Sequence, residues 1–212
     1  MNRLPTWVRQ HIVGLRVLLL FTVICGIVYP LVMTGIAQVA FHNQADGSLV
    51  SYHNRVVGSS LLCQEFVDAK GSPLPQYFQS RPSAAVNAAV KNDPGCNGEY
   101  SSASNLGPTN PVLVKAIKQR QQQIAALDHV KVSQIPPDAV TASGSGLDPG
   151  ISPANAAIQV DRVAAARHAS PAAVAALVKQ YTQGRVLGFL GEPQVKVLQL
   201  NIALDQKYPV SG

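Results

Sequence analysis

Residues 140–153, VTASGSGLDPGISP, hold the densest group of side chains able to do chemistry. Thr141, Ser143 and Ser145 are candidate hydroxyl nucleophiles, and Asp148 could orient a base. Gly144, Gly146 and Gly150 could let backbone N–H groups approach a phosphate. A phosphate loop needs Gly-x4-Gly-Lys-Ser/Thr, and the chain contains no Gly-Lys pair. A serine nucleophile elbow reads Gly-x-Ser-x-Gly, which Gly144-Ser145-Gly146 does not match. A Ser145/His168/Asp148 triad is compatible with any spacing, because triads assemble in space. The alternative is turn chemistry: Asp148-Pro149-Gly150 followed by Ser152-Pro153, a helix cap with proline in the first turn. The second reading is favoured, with no catalytic residue assigned.

Outside this stretch, candidate sites are sparse. The five histidines, at 11, 42, 53, 129 and 168, show no i, i+4 pair and no other ligand spacing, so no metal site is expected. Arg81, in YFQSRPSA, is set between an aromatic pair and a proline. It could anchor a partner or an anion, or bond loop carbonyls structurally, and the structural role is the default. Cys63 and Cys96 lack the C-x-x-C or Cys/His spacing of a zinc site. If they lie outside the cytoplasm, a disulfide between them is expected.

The start of the chain decides which compartment these residues face. Val17 to Phe41 contains no charged residue or histidine, long enough for a spanning helix, and longer than the apolar core of a signal peptide. Pro30 should kink this helix without disqualifying it. Arg3, Arg9 and Arg16 precede the run, and the first acid is Asp46, so the N-terminus is expected in the cytoplasm and the rest outside. Three of the 17 Lys and Arg thus belong to the tail; the other 14 are scattered among 11 Asp and Glu. That pattern, without an aromatic platform, excludes nucleic-acid binding. The expected organisation is a tail (1–16), a transmembrane helix (17–41) and one extracytoplasmic α+β domain (42–212), with short strands followed by three or four helices.

Within that domain, SLVSY (48–52) and RVVGSSLLCQEF (55–66) read as strands, with Gly58 marking a turn or bulge. A polar loop runs from Asn92 to Asn110. Asn110-Pro111 starts a helix to about Asp128, with Val114, Ile117, Ile124 and Leu127 on one face. Ser152-Pro153 starts a second, to about His168. Ser170-Pro171 starts a third, to about Gln183, stopped by Gly184.

Several stretches together carry a resemblance. They are YPLVMTG in the span, VVGSSLL at 56–62, YFQSRPSAA at 77–85 and SASNLGPTNP at 102–111. VTASGSGLDPGISPANA follows, then the helix carrying Gln159, Arg162 and Arg167, and GFLGEP leading to Asn201 and Asp205. In order and over nearly the whole chain, they resemble the C subunit of the Kdp potassium-pumping P-type ATPases, the KdpC family. Two departures stand out: Cys63, where the family often has a small Gly, and an apparent insertion at Asp93–Tyr100 bearing Cys96. The matching motif positions most expected to serve structure or subunit contact are Tyr77, Phe78, Arg81, Pro82, Ser83, Asn105 and Leu106, then Ser143, Gly144, Ser145, Gly146, Leu147 and Asp148, and finally Gln159, Arg162, Asn201 and Asp205.

The resemblance implies a single-span subunit of a high-affinity potassium uptake pump in the bacterial plasma (inner) membrane. Its partners would be a channel-like A subunit, an ATP-hydrolysing B subunit and membrane lipid. It implies a role in assembly and stability, and that of a catalytic chaperone raising the ATP affinity of the B subunit; ATP is implied by resemblance only. The residues agree in part. The chain lacks the Asp-Lys-Thr-Gly phosphorylation signature and a Thr-Val-Gly-Tyr-Gly filter, so it reads as an accessory rather than motor or pore. The topology puts the Gly/Ser stretch where ATP is scarce, which argues against a direct nucleotide site. A membrane-anchored serine hydrolase and an extracytoplasmic ligand-binding module are the alternatives from other classes.

Overall fold

The computed structural model describes residues 5–90 and 93–210. Arg3 and Asn92, both used above, lie outside the described residues. The chain divides into two compact units, one up to Leu49 and one from Val50.

The first unit is a nearly continuous helix: α1 (Thr6–Val23), a π-helical turn (Ile24–Val28) and α2 (Tyr29–Ala40), followed by the short α3 (His42–Ala45). Its 35 residues from Thr6 to Ala40 are long and apolar enough to cross a membrane. Helix begins at Thr6, well before the apolar run, and so takes in Arg9 and Arg16. The π turn accounts for Pro30. A proline has no N–H to give, and its ring crowds the carbonyl four residues earlier, here that of Gly26. Widening the helix at Ile24–Val28 re-spaces those carbonyls without ending the helix.

The second unit opens with a hairpin of β1 (Leu49–Tyr52) and β2 (Arg55–Ser59), turned by His53 and Asn54, both at positive φ. Gly58 lies inside β2 and marks a close approach. A Cβ there would sit 3.0 Å from both Gln64 Oε1 and Leu198 Cδ2. Residues 60–90 and 93–110 then run mostly without regular structure up to α4 (Pro111–Asp128). After α4 come a single 3-10 turn, α5 (Pro137–Val140), β3 (Gly150–Ile151), α6 (Pro153–Ala166) and α7 (Pro171–Gln180). β4 (Thr182–Gln183), β5 (Gln194–Lys196) and α8 (Val197–Lys207) complete the unit.

Three helices of this unit, α4, α6 and α7, begin where cap-plus-proline pairs predict. Asn110 Oδ1 accepts from Val112 N–H at 2.8 Å, Ser152 Oγ from Asn155 N–H at 3.0 Å, and Ser170 Oγ from Ala173 N–H at 3.2 Å. In each, proline occupies a position whose N–H would have no helical partner. Their ends differ more. α4 stops at Asp128 with His129 left-handed at φ 54°, and α6 stops at Ala166 with His168 at φ 52°. α7 ends at Gln180, three residues short of the expected stop. Thr182 and Gln183 instead pair with Val195 and Gln194, and Thr182 Oγ1 takes the freed Val178 carbonyl at 2.6 Å. Strands therefore also follow helices: β3, β5 and β4 form an antiparallel sheet, in that order, among α6, α7 and α8.

The core lies between that sheet and the helices. α6 buries Ala156, Val160, Val163 and Ala164 at i, i+4, i+7 and i+8, packed with Val174, Leu177 and Val178 of α7 and Leu200 and Leu204 of α8. Phe78, fully buried, belongs to this cluster although it lies in an irregular segment. α4 is only half-buried along Ile117, Ile124 and Leu127, and Val114, expected on the same face, is exposed.

Candidate functional site

An irregular segment that reaches a buried core must satisfy its backbone N–H and C=O groups without a ladder. Residues 75–79 do so through side chains. Asn201 of α8 accepts from Phe78 N–H and donates to Phe78 O, both at 2.9 Å. Gln159 of α6 repeats the device on the next residue, accepting from Gln79 N–H at 2.7 Å and donating to Gln79 O at 3.3 Å. Arg162 Nη1 donates to Pro75 O and Tyr77 O at 2.7 and 2.9 Å. Arg167 Nε donates to Gln76 O at 2.7 Å. Four side chains thus act as a surrogate strand.

The charges of these arginines are met inside the domain. Arg162 Nε lies 2.6 Å from Asp128 Oδ1, with both side chains almost wholly buried. Burial raises the Asp128 carboxyl against the lowering effect of Arg162, as expected of a desolvated pair. Arg167 pairs with Asp205 at 2.8 Å and lies 4.9 Å over the Tyr77 ring. The Tyr77 hydroxyl donates to Asp205 at 3.3 Å, and burial and Asp205 raise its pKa.

A second cluster gathers around the Gly/Ser stretch. Arg81 Nη1 meets Asp148 at 2.7 Å, and Nη2 reaches Thr141 O at 3.4 Å. Ser83 Oγ donates to Gly146 O at 2.6 Å and accepts from the N–H groups of Ala85 and Cys96. Ser143 Oγ accepts from Gly146 N–H at 2.8 Å, and Ser145 Oγ from Leu147 N–H at 3.1 Å. Leu147 O in turn accepts from Cys63 N–H. Gly146 has φ 72°, and a Cβ on it would lie 2.5 Å from Ser102 O. These hydroxyls tie a turn. Asp148 is engaged by Arg81, and no hydrogen bond among the described residues joins His168 to Ser145 or Asp148. The chain makes no assembled Ser–His–Asp relay here.

Cys63 and Cys96 are joined by a disulfide, with Cα atoms 5.4 Å apart. The bond fastens the loop after β2 to the Asp93–Tyr100 segment. Cys63 Sγ packs 3.4 Å from Gly146 O, and Cys96 Sγ lies 3.5 Å from Glu65 Oε1. A disulfide sulfur carries no proton, so both are packing contacts.

Between the two clusters lies a cleft of about 720 Å³. Its wall includes Glu65, Arg81, Pro82, Arg120, Ile124 and Gln159. Burial and the charge of Asp93 push the Glu65 carboxyl up to about 7. Burial lowers the Arg120 guanidinium from its ordinary value. Among the described residues no group of three or more His, Cys, Asp and Glu is placed to hold a metal ion.

The structure draws Tyr77, Phe78, Gln159, Arg162, Asn201 and Asp205 into one network, and Arg81, Ser83, Ser143, Ser145, Gly146, Leu147 and Asp148 into the other. Gly144 is exposed at the surface of the turn, and Asn105 (φ 50°) and Leu106 lie in the loop before α4, in neither network. Reading the sequence misses the roles of Asp128, Glu65 and Arg120. One signal was available: Asn155, Gln159 and Arg162 fall at helical spacing on the face that carries Ala156 and Val163, polar residues where an apolar stripe belongs.

A sequence profile described as KdpC, K+-transporting ATPase, c chain, matches residues 11–206. Among similar proteins, the potassium-transporting ATPase KdpC subunit of Sorangium cellulosum is 51% identical over 192 residues, covering 91% of this chain and 95% of the relative. That of Dechloromonas aromatica is 52% identical over 186 residues, covering 88% and 91%. That of Methylococcus capsulatus is 49% identical over 192 residues, covering 91% and 95%. With a family match across most of its length and relatives at half identity over nine-tenths of it, the chain belongs to the KdpC family, the c chain of K+-transporting ATPases.

Proposed function

We propose that this chain is the non-catalytic accessory subunit of a high-affinity, ATP-driven potassium uptake pump. It is anchored in the plasma membrane by its Thr6–Ala40 helix, with the N-terminus cytoplasmic and the α+β domain outside. Its partners are the potassium-conducting A subunit and the ATP-hydrolysing B subunit, and it contributes to their assembly and stability. By family resemblance it also raises the ATP affinity of the B subunit, an effect carried through the complex rather than by a nucleotide bound to this chain.

The observation that carries this reading is what the motif residues do. Gln159, Arg162, Arg167 and Asn201 are committed to the backbone of residues 75–79, and Ser143, Ser145 and Asp148 to a turn. Side chains held this way fix a shape, which suits a subunit that acts by docking. The charge bias of Arg9 and Arg16 against the first acid, Asp46, supports the orientation.

The test is co-purification from detergent with the two larger subunits, followed by potassium-stimulated ATP hydrolysis with and without this chain. Assembly and hydrolysis that proceed unchanged without it would overturn the reading. A C-terminal reporter active only in the cytoplasm would reverse the orientation.

A further inference from the structure

The cleft beside Arg81 and Arg120 has the dimensions of a small-molecule site, about 720 Å³. Its wall is mixed. Val67, Pro73, Ile124 and Leu127 supply apolar surface, and two arginines supply charge.

The two guanidinium groups converge on one piece of backbone. Arg120 Nη1 donates to Val140 O at 2.9 Å, and Arg81 Nη2 to Thr141 O at 3.4 Å. Those carbonyls belong to consecutive residues, whose Cα atoms are about 3.8 Å apart. The arginines differ in their partners. Arg81 has Asp148, although its enclosed Nε–H has no acceptor. Arg120 has, among the described residues, no carboxylate within 4.0 Å. A guanidinium carries five N–H donors, and among the described residues Arg120 uses only the Nη1 bond. Half-burying such a cation without a counter-charge is unfavourable, and its depressed pKa expresses the same cost.

The nearby acids are engaged elsewhere. Asp128 is held by Arg162, and Asp138 accepts from Ser152 N–H, Ser152 Oγ and Asn155 Nδ2. Burial and Asp93 raise the Glu65 carboxyl to about 7, so below that pH it faces the cleft mostly uncharged.

We propose that this cleft is a binding site for a small organic monocarboxylate, whose carboxylate meets the unused donors of Arg120 beside Arg81 and whose hydrocarbon part lies against Ile124 and Leu127. A planar fork of N–H donors matches a carboxylate in geometry. One uncompensated guanidinium matches a single negative charge. A phosphate dianion would need a second free cation, and Arg81 and Arg162 are already paired with Asp148 and Asp128. The site is distinct from the accessory function and does not depend on it.

The test uses the full-length protein in detergent, with hexanoate, hexanamide and hexyl phosphate as probes. Binding is read by calorimetry and by the methyl NMR signals of Ile124 and Leu127. Hexanoate is expected to bind saturably and shift those methyls, and hexanamide to bind at least tenfold more weakly. Arg120→Gln, which removes the cation and leaves a shorter amide donor in its place, should lower hexanoate affinity at least tenfold in protein that still melts cooperatively. The proposal is overturned if hexanoate leaves the Ile124 and Leu127 signals unmoved, or if hexanamide or hexyl phosphate binds as well as hexanoate. Unchanged hexanoate affinity in Arg120→Gln overturns it equally. Should that variant not fold, the comparison of hexanoate with hexanamide on the wild type decides alone.

Discussion

Asn201 and Phe78 exchange two hydrogen bonds, each 2.9 Å long, between one buried amide side chain and one buried peptide unit. Asn201 is 1% exposed and Phe78 0%, so water cannot replace either bond. An unsatisfied buried backbone group costs about 1–3 kcal/mol, and two are stranded together. Asn201→Ala should therefore destabilise the domain by about 2–6 kcal/mol. Chemical denaturation of the wild type and the variant measures it; a loss under 1 kcal/mol would show that the surrogate-strand account is wrong.

The Glu65 carboxyl gives a pH dependence with a definite sign. Burial and Asp93 raise it from 4.5 to about 7 in the folded protein. Between those two values the folded state holds a proton that the unfolded state has released, so stability falls as pH rises. The contribution is fully present below about pH 4.5 and fully lost above about pH 7. Asp128, raised by burial, acts in the same direction, whereas Asp93, lowered chiefly by the Asn87 and Gly95 N–H groups, acts in the opposite one. The discriminating quantity is thus the difference between wild type and Glu65→Gln in urea midpoint. That difference should move in favour of the glutamine variant from pH 4.5 to 7.5. A difference independent of pH would exclude a raised Glu65.

How much of this was legible in the sequence depends on the range of the interaction. Helix starts at Asn110, Ser152 and Ser170 are local, since a cap side-chain oxygen and the N–H that donates to it are two or three residues apart. The end of α7 is not local. Thr182 and Gln183 leave the helix because residues 194 and 195 offer them strand partners. The candidate site is more distant still. Arg162 finds Asp128 34 residues away and Tyr77 O 85 residues away; periodicity places Arg162 on the core face but names neither partner. Motif resemblance pointed to Gln159, Arg162 and Asn201 as residues that matter. Only the fold shows that they grip the backbone of 75–79.

The disulfide joins Cys63 and Cys96 across a sequence separation of 33. In chain-entropy terms a loop of that length stabilises the folded state by roughly 3–5 kcal/mol. It also holds the Asp93–Tyr100 segment, whose Cys96 N–H donates to Ser83 Oγ, against the turn at Gly146. Protein alkylated without reduction should show no label at either cysteine, and Cys63→Ser/Cys96→Ser should lose that stability. Quantitative labelling of both thiols in native membranes would remove the bond from the account.

Ser145 and Gly146 are neighbours, and their substitutions should separate. Ser145 Oγ accepts one hydrogen bond, from Leu147 N–H, and comes within 3.4 Å of Ser143 Oγ. Removing it as Ser145→Ala costs about 0.5–1.5 kcal/mol if the net value of a hydrogen bond applies. No nucleophile is lost, so potassium-stimulated ATP hydrolysis by the assembled complex should stay within about twofold of wild type, as a small stability change predicts for folded enzyme. Gly146→Val is different on two counts. Its φ of 72° suits glycine and disfavours a β-branched residue, and the new Cβ would sit 2.5 Å from Ser102 O and 2.8 Å from Ala85 N, both backbone atoms. Neither can yield without moving the chain that Ser83 and the disulfide hold in place. Gly146→Val should therefore fold poorly and assemble in low yield, read by melting temperature and by recovery of the complex. Hydrolysis lost by several orders of magnitude in Ser145→Ala, at matched complex abundance and intact melting temperature, would mean that the turn carries chemistry and not only shape.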